Sequence, residues 1–389
     1  MVSTHLGTAH PARTIDAAAP RPRLAASSDV LATMMQVGDP LADAVVAERV
    51  PRHMIDDALH QRRPSSQVPE SLAALHAQLK TVPDWLEIDR LHRGTLAYLG
   101  IGATWMQLLL GPGSLINTYR SPGIAVVLTA SGRLDTTAAA RRISETGAWL
   151  GSAVQPGHLR VGAPGFVATA QVRLLHAHVR HHVGGRDAWD SGRWGVPINQ
   201  LNLARTLLDF TTVPMGALRR LGVGLTADQR DDVYHLFRYI GYLLGLDPIL
   251  DVDDHDEANA LADRLDALDG PPDENSRALV GALLSAYDEL LSPVIHTPPP
   301  VTRQLVLALA RAFHGSELCR SVGIARPAPW AVLGVRALGL ANSAARLVHR
   351  AVPAARRRAV RRTIGDIRSH EGTLEGDILY ESGSSRGER

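Results

Sequence analysis

Cysteine is nearly absent from this chain: Cys319 is the only one in 389 residues. A single thiol rules out an internal disulfide, a thiolate zinc site and an iron–sulfur cluster. Aromatic residues are sparse at 4%, which argues against the stacking surface that single-stranded nucleic acid needs. Neither sign of charge is in excess. The 41 basic and 39 acidic side chains leave a net +2, too little for a global field that would collect nucleic acid. Long hydrophobic runs are missing as well. The longest candidate, Leu96 to Leu115, is interrupted by Gly100, Gly102, Gln107, Gly111 and Pro112 and does not read as a membrane span. Residues 1–28 lack the basic start, apolar stretch and small-residue cleavage site of a secretory signal, so they read as a disordered arm and the protein as cytoplasmic.

Period-two alternation is scarce, and so are catalytic signatures. There is no nucleophile elbow, no catalytic carboxylate pair and no dinucleotide fingerprint. Gly111-Pro112-Gly113 and Gly162-Ala163-Pro164-Gly165 lack the Lys-Ser/Thr ending of a phosphate loop and read as turns. What remains is rich in Ala, Leu, Val and Arg, a composition that favours helix when summed over windows. Helical periodicity predicts helices over 29–48, 51–62, 70–80 and 88–110, the last stopped by Gly111-Pro112-Gly113. Asp84 is a plausible cap, Tyr119 to Gly123 a turn, and Ile124 to Leu128 a short apolar run. Further helices are expected from about Thr136 to Leu150, up to Gly184-Gly185, on to Phe210, and over 214–222, 226–245, 255–268, 274–291, 300–314, 327–350 and 353–368. The expectation is one all-α domain over 29–370, with a flexible tail over 371–389.

With cysteine excluded, the 17 histidines are the obvious metal ligands. One stretch stands out, Gln171 to Val183. Arg173, His176 and Arg180 lie three and four residues apart and share a narrow arc of a helix. Leu174, Leu175, Ala177, Val179 and Val183 make most of the rest apolar. An imidazole between two guanidiniums on such a helix is costly unless something anionic lies against it. A haem fits, with iron for the imidazole and propionates for the arginines. A core histidine with two snorkelling arginines fits equally well, and periodicity does not choose between them.

On the preceding helix Arg142, Glu145 and Thr146 share a face, with Trp149 close by. A hydroxyl and a guanidinium above an iron can hold dioxygen or a developing peroxide. An ordinary surface pair of Arg142 and Glu145 is the alternative. His178 and His182 have the four-residue spacing of a two-histidine metal face but no evident third ligand, and with His181 they read as a solvated face. The run Arg356, Arg357, Arg358, Arg361 and Arg362 is suited to an anionic surface, though a solvated terminal helix explains it as well.

Several blocks taken together resemble the latex-clearing protein (rubber oxygenase) and MpaB-type oxygenase superfamily. They are Gly38-Asp39-Pro40-Leu41-Ala42-Asp43, Pro83-Asp84-Trp85, Arg93-Gly94, Ser131-Gly132-Arg133-Leu134, Arg142 with Thr146, Arg173-Leu174-Leu175-His176-Ala177 with Arg180, and Trp194-Gly195-Val196-Pro197-Ile198-Asn199-Gln200. The resemblance runs mainly from residue 36 to 245. It implies a globin-like helical core extended by extra helices and holding one haem b. His176 would be the axial ligand, Arg173 and Arg180 the haem-side supports, and Arg142 and Thr146 the distal residues. It also implies dioxygen and an apolar, isoprenoid or polyisoprene-like substrate, whose carbon–carbon double bond is cleaved to carbonyl products. Two features depart from the pattern. Glu145 stands where some rubber oxygenases have an iron-capping lysine, and Ile124 to Leu128 lacks the proposed catalytic acid of some relatives. Glu145 then becomes either a distal base or a partner of Arg142. A haem monooxygenase or peroxidase-like biosynthetic enzyme, and a non-catalytic haem-binding or sensing protein, are the alternatives. A monomer or dimer is expected.

Overall fold

The computed structural model describes residues 28–62, 68–131, 136–351 and 353–374, and every regular element in them is helical. The arm over 1–27, most of the segment between Arg62 and Pro69, residues 132–135, which include all but the first residue of the Ser131–Leu134 block, and the tail over 375–389 lie outside the described residues.

The chain opens with α1 (Ser28–Met34), α2 (Pro40–Ala47), α3 (Arg52–Leu59) and α4 (Glu70–Lys80). The helix expected over 29–48 is two helices. Pro40 holds Asp39 out of the helical region, at φ −123° and ψ 94°, and Asp39 then caps α2 by accepting from the Ala42 N–H at 3.3 Å.

The helix expected over 88–110 is broken too. It consists of α5 (Ile88–Leu99), α6 (Ala103–Leu108) and a π-helical segment, Leu109–Leu115, which leads into α7 (Ile116–Tyr119) and α8 (Pro122–Ser131). The break falls at Gly102, at φ 99°. Gly111-Pro112-Gly113 stops nothing and lies inside the π turn. Proline has no N–H to donate, so it breaks a regular α-helical ladder but is tolerated where the turn widens. Ile124 to Leu128 belongs to α8 rather than to an isolated apolar run. Asp84 sits in a turn four residues before Ile88, and Glu87 is the N-cap residue of α5. Among the described residues no single helix is long and apolar enough to cross a membrane. The one apolar pair that comes close, Ile88–Leu99 with Ala103–Tyr119, is bent by 89°.

The second half comprises α9 (Thr136–Ala153), α10 (Pro164–Gly184), α11 (Ser191–Trp194), α12 (Gln200–Asp209), α13 (Thr212–Arg220) and α14 (Ala227–Leu243). After these come α15 (His255–Leu268), α16 (Glu274–Ile295), α17 (Pro299–Ser321), α18 (Pro329–Ala351) and α19 (Pro353–Leu374). Local chemistry starts several of them. Thr226 and Gln229 form a capping box on α14, and Asp254 caps α15 through the Asp256 and Glu257 N–H groups. The other carboxylates of that acidic run, Asp251 and Asp253, reach back to Arg238 on α14 at 2.7 and 2.8 Å.

The main core gathers α9, α10, α14, α16 and α17 around the π segment, with Phe166, Leu109, Ile116, Leu236 and Phe237 almost inaccessible. A smaller cluster of Leu31, Leu208, Tyr234 and Leu261 ties α1, α12, α14 and α15 together. The closest crossing is α5 on α14. A Cβ on Gly94 would lie 2.0 Å from the Asp232 carbonyl oxygen, so only glycine permits that approach. Arg93 beside it binds the Asp232 carboxylate with two hydrogen bonds, 2.8 and 3.0 Å.

Candidate functional site

Helix α10 lies between α2 on one side and α9 on the other. Its arginines face α2. Arg173, 3% exposed, donates from Nε and Nη2 to both oxygens of Asp39 at 2.6 and 3.0 Å, and from Nη1 to Gln78 Oε1 at 2.5 Å. Two helical turns further on, Arg180 donates from Nε to Asp43 at 2.8 Å and from Nη1 to the Ile198 carbonyl at 2.8 Å. The anionic partners of this face are therefore carboxylates of the chain itself. Two aspartates four apart on α2 answer two arginines seven apart on α10, and bidentate pairing of this kind fixes both position and rotation. The cluster closes through Gln200, whose Nε2 donates to the Gly38 and Gly245 carbonyls at 2.8 and 3.0 Å and whose Oε1 accepts from the Asp247 N–H at 2.8 Å. Gly245 has φ +85°, and a Cβ there would lie 2.5 Å from Asp39 Oδ2, inside the ion pair. Three sequence blocks, at 38–43, 173–180 and 194–200, thus meet in one buried polar knot.

His176 lies between the two arginines in sequence but makes no hydrogen bond among the described residues. Its pKa is lowered to about 4, first by burial and then by the Arg180 charge, with Asp39 opposing. The ring is neutral at neutral pH, the form a metal ligand requires. It is nonetheless only half-buried, as are Val172, Leu175 and Val179 on the same face. A neutral, unpartnered imidazole on an accessible apolar strip, beside a fully satisfied ionic knot, fits a planar apolar cofactor bound through one axial nitrogen. No group of three or more His, Cys, Asp or Glu able to hold a bare metal ion occurs among the described residues. Single-imidazole ligation to haem iron needs only one.

Helix α9 runs back along α10. The last turn of α9 meets the first of α10, where a Cβ on Gly165 would touch Ser152 and Ala153, and Trp149 Nε1 donates to Thr169 Oγ1 at 3.2 Å. These two points make the helices antiparallel and set Arg142 level with His176. Thr146 and Arg142 are half-buried. Arg142 reaches toward α8 and α7, donating to the Leu128 carbonyl at 3.5 Å and hydrogen-bonding Tyr119, whose pKa is raised by burial and held back by that guanidinium. Glu145 pairs with Arg141 at 2.7 Å, not with Arg142, and so occupies the outer edge of the strip. His178, His181 and His182 are exposed, as the sequence implies.

Sequence reasoning missed Asp39, Asp43, Gln78 and Tyr119 as partners. Only the presence of two aspartates, one turn apart, in the 38–43 block hinted at the first two. Gln78 and Tyr119 carry no local signal, because their roles depend on which helices become neighbours.

The fold and sequence were compared with known proteins. No curated protein matches the sequence significantly. A solved structure described as "Structure of Latex Clearing Protein LCP in the closed state" superposes with a TM-score of 0.66 at 22% identity, covering 84% of this chain and 91% of that one, a likeness of fold. Residues 92–350 match the family described as "ER-bound oxygenase mpaB/B'/Rubber oxygenase, catalytic domain". The span covers more than half of the chain and takes in the whole of α9 and α10, so the chain belongs to this family of oxygenase catalytic domains.

Proposed function

We propose that the protein is a haem b-dependent oxygenase that cleaves a carbon–carbon double bond of an apolar, isoprenoid or polyisoprene-like substrate with dioxygen, giving carbonyl products. The observation that carries this reading is His176: a half-buried, neutral imidazole with no hydrogen bond among the described residues, on an accessible apolar strip, in a chain of an oxygenase family. Haem, when bound, supplies the activation of dioxygen. The chain's own contribution is positional and electrostatic. Arg173 and Arg180, locked to Asp39 and Asp43, fix the rotation of α10 and so aim His176. This assigns them to holding the ligand helix rather than to the cofactor's propionates. Arg142, held by Tyr119 and Leu128 level with His176, and Thr146 one turn away would orient the oxygen. Glu145 at the edge of the strip is the carboxylate within this set able to move an allylic proton. Val172, Leu175 and Val179 exclude water and receive the apolar substrate.

The purified holoprotein should show a Soret band, and His176→Ala should lose it while keeping its helical circular dichroism. Colourless wild-type protein that haem cannot reconstitute would overturn the reading. Incubation with labelled dioxygen separates reaction types, since cleavage of the double bond by one dioxygen places label in both carbonyl fragments and monooxygenation does not.

A further inference from the structure

Helix α18 presents an apolar face that nothing among the described residues covers. Its inward side is settled: Ala331 and Val335 are buried against the body, and Asn342 donates to the Leu221 carbonyl at 3.0 Å. At 100° per residue the opposite side carries Trp330, Leu333, Ala337, Leu340, Ala341 and Ala344. All six are exposed, with Trp330 at 48%, Leu333 at 63% and Leu340 at 76%. A helix with an exposed apolar stripe opposite its buried side has a second apolar environment to meet.

The adjoining charge identifies that environment. α18 packs against α19, whose inward side is Val360, Thr363 and Ile367 and whose outward side carries the exposed Arg357, Arg358, Arg361, Arg362 and Arg368. Between Glu317 and Asp366 the sequence holds ten arginines and no acidic residue, in a chain whose net charge is only +2. A second copy docking through the same face would bring two such basic helices together, at an electrostatic cost. A surface apolar in its interior and anionic at its boundary satisfies both helices at once, and an aromatic such as Trp330 at the start of the stripe suits the boundary layer. We infer that α18 and α19 form a peripheral membrane-docking surface, α18 lying in the interface of an anionic bilayer with its outer stripe among the acyl chains while the α19 arginines meet lipid phosphates and carboxylates. The inference rests on exposure and charge alone and is independent of the haem reading.

Cosedimentation of the full-length protein with vesicles tests it. Binding to an equal mixture of phosphatidylcholine and phosphatidylserine should exceed binding to phosphatidylcholine alone by about tenfold or more and weaken with salt. Leu333→Asp with Leu340→Asp, both at exposed sites, should abolish binding with helical circular dichroism unchanged. Arg361→Glu with Arg362→Glu should remove the preference for anionic vesicles. Absence of binding to the mixture, or binding unaltered by the leucine variants, would overturn the inference. So would a wild-type dimer that those variants convert to monomer, because the stripe would then be an interface between copies.

Discussion

At the scale of single residues, the polar knot on α10 separates two ion pairs of similar geometry and different surroundings. Asp39 and Arg173 are both nearly inaccessible, at 7% and 3% of side-chain surface, whereas Asp43 opposite Arg180 is 38% exposed. Removing one partner of a buried pair leaves a charge that water cannot reach. Asp39→Asn should therefore cost about 3–5 kcal/mol of unfolding free energy. Asp43→Asn should cost roughly 1 kcal/mol, because water takes over part of the lost interaction. Urea unfolding of the two variants checks the contrast, and equal losses would show that the second pair is as dry as the first. Asp39 carries a further burden, since the same side chain caps α2.

At the scale of elements, the close crossing of α5 and α14 makes the sharpest demand on sequence. Gly94→Ala would set a Cβ against backbone, not against a side chain able to swing aside. Overpacking of that kind costs about 1–3 kcal/mol and should lower the melting temperature by several degrees. An unchanged melting temperature would mean that the two helices can slide apart without loss. The π segment shows how an element can contradict a local rule. Gly111-Pro112-Gly113 ends helices in most settings, yet here the segment is wholly buried. Tyr287 donates to the Gln107 carbonyl at 2.9 Å, and the Pro112 carbonyl accepts from His314 Nε2 at 2.7 Å. Those partners come from α16 and α17, far along the chain, so a reading of the local sequence had no access to them.

At the scale of the whole molecule, acid stability follows from buried histidines. His176, His235 and His314 are each lowered from 6.5 to about 4, mainly by burial. Below pH 6.5 the unfolded chain binds protons that the folded chain refuses, so stability that is intact above 6.5 is lost as pH falls toward 4. Asp209 runs the other way. Burial raises it to about 6, so the folded chain holds a proton there that the unfolded chain has released, and its penalty appears as pH rises. Burial lowers His76 and His255 as well, and raises Asp269 and Asp288, so the histidines prevail in number. The melting temperature should be lower at about pH 5 than above pH 6.5, and a flat profile across that interval would contradict the burial of these rings.

The sequence by itself determined the helical class and most of the helices beyond Thr136, because hydrophobic periodicity and end signals are local. Glycine-185 after α10, Thr226 with Gln229 before α14 and Asp254 before α15 all act within a turn or two of the chain. It also determined that Arg173, His176 and Arg180 share one face, since helical spacing alone requires it. Tertiary structure decided what that face meets. Asp39, Gln78 and the pair Ile198 and Gln200 come from three separate segments, and only packing shows that the arginines are neutralised within the chain while His176 makes no hydrogen bond among the described residues. It decided likewise that Glu145 turns to Arg141, that a Gly-Pro-Gly sequence lies inside a helix, and that one side of α18 is left without a cover among the described residues. Charge and apolarity along a chain say what each surface needs, but which surfaces satisfy one another depends on contacts between residues far apart in sequence.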